Sequence, residues 1–276
     1  MRSGTRPKRE DVTTMRSYLA CAVCFSLGVL LATGCSEGPS LTTPESVIHA
    51  ETEGTPASVA LGPAASSLAQ HFIYARILCF GDSLTYGTTL QALGMIHPTL
   101  VPVEGYVPKL GRLIEVNYED AHFELINSGV GAEGTSEGRL RLATEIRRLR
   151  PELVLLLQGT VDAGSVPPSF GVTRRNLQAM MNDVLSQGID LIIGTVPPFH
   201  PDGFRATGID NVPVLNEIIR EEAARLGVPV ADHERAFGDD PGLQGPDGVH
   251  PNDNGYEVMA ATWLKTLQGL VERSGT

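Results

Sequence analysis

Two short polar blocks carry the residue types of nucleophilic catalysis. Gly81-Asp82-Ser83-Leu84-Thr85 offers a serine, and Asp247-Gly248-Val249-His250-Pro251, far along the chain, offers a carboxylate and an imidazole three positions apart. A serine hydroxyl is a poor nucleophile at neutral pH until a base removes its proton. The base in turn needs a carboxylate that fixes its tautomer and stabilises the imidazolium. The separation of Asp247 and His250 lets the carboxylate accept a bond from one ring nitrogen while the other faces Ser83. Nucleophile, base and acid are therefore all present, provided the fold brings the two blocks together.

The elements between the blocks are legible as an alternation. Residues 76–80, 123–127, 153–157, 191–194 and 228–231 read as strands, and the first, third and fourth are nearly unbroken apolar runs, as expected of strands buried on both faces. Helical patterns cover 107–116, 137–149, 174–186 and 213–226, with 255–271 closing the chain, and Pro151, Gly188 and Gly227 supply stop signals. Five such units predict a parallel sheet with helices on both faces. Ligands of these sheets bind beyond the carboxyl ends of the strands. There lie the Ser83 block, Asn127-Ser128-Gly129-Val130-Gly131-Ala132, Gln158-Gly159-Thr160-Val161-Asp162 and the loop with Asp247 and His250.

Blocks of this kind in this order resemble the GDSL or SGNH hydrolase family, over the stretch from about Ile77 to Ala260. The resemblance implies a three-layer α/β/α sandwich around a flavodoxin-like five-stranded parallel sheet. It also implies Ser83 as nucleophile, His250 as base, Asp247 as its partner, and carboxylic esters as substrates. The backbone N–H groups of Ser83 and Ala132 would form the oxyanion hole. Thr195-Val196-Pro197-Pro198 is similar to bacterial members.

The chain departs from the family pattern twice. Ala132 stands where glycine is usual, a mild change because alanine keeps the backbone donor. Val161 stands where the family offers asparagine, and a valine side chain donates no hydrogen bond. Loss of one oxyanion donor lowers turnover by about 10²–10³, so either Thr160 or a water substitutes or the enzyme is slow. The alternative reading is a catalytically weak or inactive binding protein of the cell envelope.

The amino terminus reads as an address. Arg2, Arg6, Lys8, Arg9 and Arg16 precede an apolar run over 18–31 of signal-peptide length, ending in Leu31-Ala32-Thr33-Gly34-Cys35, which resembles a bacterial lipobox. This predicts a signal peptide over 1–35, export, and a membrane anchor through lipidated Cys35. Residues 36–72, rich in Ser, Thr, Pro, Ala, Gly and Glu, read as a disordered tether, and 73–276 as the hydrolase domain. The envelope setting suits acetylated glycans, short acyl esters or lysophospholipids. An apolar stretch containing Leu90, Leu93, Met95, Ile96, Leu100 and Val101 is a candidate acyl-pocket wall.

Other chemistries find less support. A formal net charge of −11 lacks the basic footprint of a nucleic-acid binder. Gly129-Val130-Gly131-Ala132-Glu133-Gly134 spells a dinucleotide fingerprint, but the next strand ends in Gln158 and not in the acidic residue that would hold a ribose. His49, His71, His97, His122, His200 and His233 show no metal-ligand spacing, so neither metal nor cofactor is expected. Asp82 and Asp162 read as structural acceptors, and Cys79, inside a strand, as an inert buried thiol.

Overall fold

A computed structural model describes residues 71–88 and 105–274. The proposed signal peptide, Cys35, nearly all of the tether and the candidate pocket wall between Leu90 and Val101 lie outside the described residues.

The sheet has five parallel strands in the order β2-β1-β3-β4-β5. They are β1 (Arg76–Gly81), β2 (Glu124–Gly129), β3 (Leu153–Leu157), β4 (Asp190–Gly194) and β5 (Val230–Ala231). β1 and β3 form the centre, and every residue of β3 is buried. β2 lies on one edge and is only partly covered. The chain leaves β1 in one direction to make β2 and crosses back over β1 to make β3, so the order reverses between β1 and β3. A crevice opens at such a reversal, at the carboxyl ends of the strands.

The strand residues divide by parity because successive side chains point to opposite faces. Ile77, Cys79, Leu153, Leu155 and Leu157 pack with α2 (Tyr106–Asn117) and α8 (Asp253–Ser274) around fully buried Trp263. Leu78, Phe80, Val154, Leu156 and Ile193 pack with α3 (Thr135–Leu149), α5 (Phe170–Leu185) and α6 (Asn211–Leu226). This is the three-layer sandwich. Truncating Leu155 or Leu156 to alanine would open a cavity in one layer and cost about 2–5 kcal/mol.

Three short helices, α1 (Ser83–Tyr86), α4 (Thr160–Ala163) and α7 (His233–Phe237), begin just beyond β1, β3 and β5. Each is too short to show a periodicity, and sequence patterning gave none of them. α3 starts two residues earlier than its apolar pattern because Asp162, from the next loop, accepts from Thr135 N (2.9 Å) and Thr135 Oγ1 (2.6 Å). Its cap thus comes from a residue distant in sequence. Lys109 of α2, buried, pairs with Asp253 (2.8 Å) and Glu257 (2.6 Å), fixing the start of α8 immediately after the His250 loop.

Candidate functional site

Ser83 is the first residue of α1, directly after β1. The turn is tight: a β-carbon on Gly81 would fall 2.2 Å from the Leu157 carbonyl oxygen of β3, so only glycine lets the two strand ends close up. Asp82 caps α1 by accepting from Leu84 N (3.0 Å), and its other oxygen accepts from Thr160 N (3.1 Å). It thereby ties the first loop to the third. Burial raises its carboxyl above the ordinary range despite these bonds. As the sequence suggested, Asp82 is a structural acceptor.

The loop before α8 brings the other two residues to the serine. His250 Nδ1 lies 2.5 Å from Asp247 Oδ2, and His250 Nε2 lies 2.9 Å from Ser83 Oγ. An ionised carboxylate only accepts, so Nδ1 carries the ring proton and Nε2 is left to accept from the serine hydroxyl. Asp247 Oδ1 accepts from Val249 N (3.1 Å) and His250 N (3.0 Å). This turn is possible because Gly248 takes φ 74°, a region costly for other residues. Burial by itself would raise the Asp247 carboxyl, but the bonds and charge of His250 and the two backbone donors hold it below the usual carboxylate range.

The loop is braced from outside. His200 N donates to Gly248 O (2.7 Å), Arg205 N to Asp247 O (3.0 Å), and Gly245 N to His250 O (2.7 Å). Its position therefore does not depend on the triad contacts alone. A shallow cavity beside it is lined by Phe199, His200, Phe237 and Gln244, among others.

The second loop, after β2, carries Ala132 with φ 59°. Gln158, at the end of β3, donates to Gly134 O (3.0 Å) and Glu133 O (3.3 Å), so a side chain of the protein occupies the inner edge of the fingerprint-like glycine loop. In the third loop Val161 is half-buried. A β-carbon on Gly134 would lie 4.0 Å from Val161 Cγ1, which places that methyl group beside Gly134 at the start of α3. The backbone N–H of Thr160 is committed to Asp82. Asp162 accepts from Thr135 and from Thr173 Oγ1 (3.0 Å) and is structural, as expected. Cys79 is buried in β1, where desolvation pushes its thiol far above the ordinary range.

The sequence reading missed Arg141. It sits on α3 and reaches back to Glu133, Ser128 and Gly81, but a single arginine in a helical pattern carries no signal that it points to a strand edge.

A profile of the GDSL-like lipase/acylhydrolase family matches residues 79–258. The chain is 26% identical over 244 residues to a multidomain esterase of Ruminococcus flavefaciens, a match covering 79% of this chain and 31% of that protein. The chain thus spans only about a third of that relative's length. It is 24% identical over 222 residues to the uncharacterized lipoprotein YqeF of Bacillus subtilis (strain 168), covering 67% of this chain and 86% of that one. In fold it is similar to a lipase/acylhydrolase from Enterococcus faecalis, with TM-score 0.60 at 24% identity over 72% of this chain and 96% of that chain. It is likewise similar to an aryl esterase of M. smegmatis, with TM-score 0.61 at 20% identity over 71% and 99%. The family profile runs from inside β1 to the first turns of α8, across all five strands and both polar blocks, and the chain belongs to the GDSL-like lipase/acylhydrolase family.

Proposed function

We propose that this protein hydrolyses carboxylic esters through an acyl-serine intermediate on Ser83. The observation that carries this reading is the continuous hydrogen-bonded series Ser83, His250, Asp247 at the carboxyl edge of the sheet. Ser83 Oγ attacks the ester carbonyl carbon while His250 Nε2 takes the hydroxyl proton. The carbonyl oxygen becomes an oxyanion, and Asp247 stabilises the imidazolium. Collapse of the tetrahedral adduct breaks the bond to the alcohol, which leaves with the proton from Nε2. Water, deprotonated by the same nitrogen, then attacks the acyl carbon; the second adduct collapses by breaking the bond to Ser83 Oγ, which takes back the proton from Nε2 as the carboxylic acid leaves.

The oxyanion is received by the backbone N–H groups of Ser83 and Ala132. Asp82 takes the Leu84 N–H and leaves the Ser83 N–H without an intrahelical acceptor, since the first donors of a helix have none. Val161 fills the place where the family offers a third, side-chain donor. With the Thr160 N–H bound to Asp82, that backbone group does not stand in for the missing donor.

Export and anchoring at Cys35 complete the reading. The lipobox-like sequence supports it, and a relative is named a lipoprotein. Acetylated glycans, short acyl esters and lysophospholipids are the substrate classes suited to that setting.

A chain-length series of p-nitrophenyl esters, from acetate to palmitate, tests the activity. Hydrolysis of at least one member, abolished by Ser83→Ala, is expected. Equal rates for the wild type and Ser83→Ala across the series would overturn the reading.

A further inference from the structure

We infer that Arg141 is a positioning residue for the oxyanion-binding loop. This rests on the acyl-serine reading of the site and deepens it. Val130–Glu133 is a four-residue turn closed by Glu133 N donating to Val130 O (3.3 Å), and Ala132 is its third residue with φ 59°. That position suits glycine, because a β-carbon is crowded at positive φ. Nothing in the turn itself keeps an alanine there, so the conformation must be imposed by its surroundings.

Arg141 supplies the constraint. Its Nε donates to Glu133 Oε1 (2.7 Å) and its Nη2 to Glu133 Oε2 (2.6 Å), a bidentate pair. Nη2 also donates to Gly81 O (3.1 Å), and Nη1 to Ser128 O (3.0 Å) and Ser128 Oγ (2.6 Å). All five N–H groups are thus used, and the guanidinium lies 3.9 Å over the Phe80 ring. Gly81 O accepts a second bond, from Val130 N (3.0 Å). One planar group therefore joins the end of β1, two residues before Ser83, to the end of β2 and to the residue that follows Ala132. Glu133 is buried and is held from its other side by Gln158 Nε2. Both backbone donors of the oxyanion hole are referenced to this one side chain. A lysine cannot reproduce the fork.

The test is steady-state kinetics on p-nitrophenyl acetate with thermal melting of the same samples. Arg141→Met is expected to lower kcat roughly tenfold to a hundredfold, the range for a displaced reacting geometry, with KM within about twofold and Arg141→Lys only partly restoring kcat. Adding Ala132→Gly to Arg141→Met should recover much of the loss, because glycine takes the positive φ of the turn at no steric cost and so depends less on the clamp. A purely structural role would lower the melting temperature without this kcat-selective rescue. If Arg141→Met does not fold, Arg141→Lys and Glu133→Gln carry the test with the same expected pattern. An unchanged kcat in folded variants, or a loss that Ala132→Gly does not relieve, overturns the inference while wild-type turnover keeps the ester-hydrolase reading. A wild type without Ser83-dependent turnover overturns that reading and this inference with it.

Discussion

His250 Nε2 stands 2.9 Å from Ser83 Oγ although 167 positions separate the two residues. The contact is made by two short loops on one edge of the sheet, each fixed by bonds that do not involve the other's side chain. Asp82 pins the serine turn to the third loop, while His200, Arg205 and Gly245 pin the histidine turn from behind. A serine–histidine pair held from outside in this way is already positioned for the proposed acyl transfer, the condition under which positioning lowers a barrier.

Asp247→Asn should leave the loop folded, because an amide oxygen can still accept from Val249 N and His250 N. Its NH₂ group, however, favours a proton on Nε2 and not on Nδ1, so the imidazole faces Ser83 as a donor. The expected loss in kcat is about 10³- to 10⁴-fold at neutral pH, with a melting temperature near that of the wild type. Retention of kcat within tenfold would show that Asp247 does not set the tautomer.

Val161→Asn should raise kcat. The side chain lies beside Gly134, and Ser165 Oγ donates to Val161 O (3.0 Å), so the turn is held by its backbone and tolerates the exchange. An amide aimed at the developing oxyanion strengthens in the transition state and acts on kcat more than on KM, by up to about 10²-fold. An unchanged or lower kcat in a folded variant would mean that another group already fills the site.

The sheet was readable in the sequence because its central strands are almost wholly apolar. β3 matches its expected bounds, and Ile77–Phe80 and Leu191–Ile193 stand out in the same way. Edge strand β5 is shorter than expected, since Val228 packs into the core before the pairing begins. The polar blocks were legible because serine, aspartate and histidine in a fixed order restrict the chemistry. What was not legible depends on contacts distant in sequence. The cap that Asp162 gives to α3, the Asp82–Thr160 bond and the reach of Arg141 across two strand ends leave no periodicity or spacing behind.

His233 should make the protein acid-sensitive. It is fully buried against Trp263, with ring centroids 4.9 Å apart, and burial lowers its pKa to about 3, opposed only by the Asp232 charge. The unfolded chain takes up this proton below pH ~6.5 and the folded one does not until pH ~3, so stability is full above the upper value and falls by about 1.4 kcal/mol per pH unit below it. Urea unfolding at pH 7 and pH 5 should show wild type losing about 2 kcal/mol more than His233→Leu. Equal losses would place the acid sensitivity elsewhere.

Cys35→Ala should move the protein from the membrane fraction to the soluble fraction, or block its processing, when the full chain is expressed in a bacterium. Equal solubility of wild type and variant would remove the anchor and leave ordinary secretion.

The most direct measurement is covalent labelling of the purified protein by a fluorophosphonate, read by peptide mass spectrometry between pH 6 and 9. The reagent reports a serine whose hydroxyl is activated by a neighbouring base. One adduct on Ser83 is predicted, abolished by Ser83→Ala and strongly slowed by His250→Ala and Asp247→Asn. Labelling at another residue, or no labelling of the folded protein anywhere in that pH range, would contradict the account.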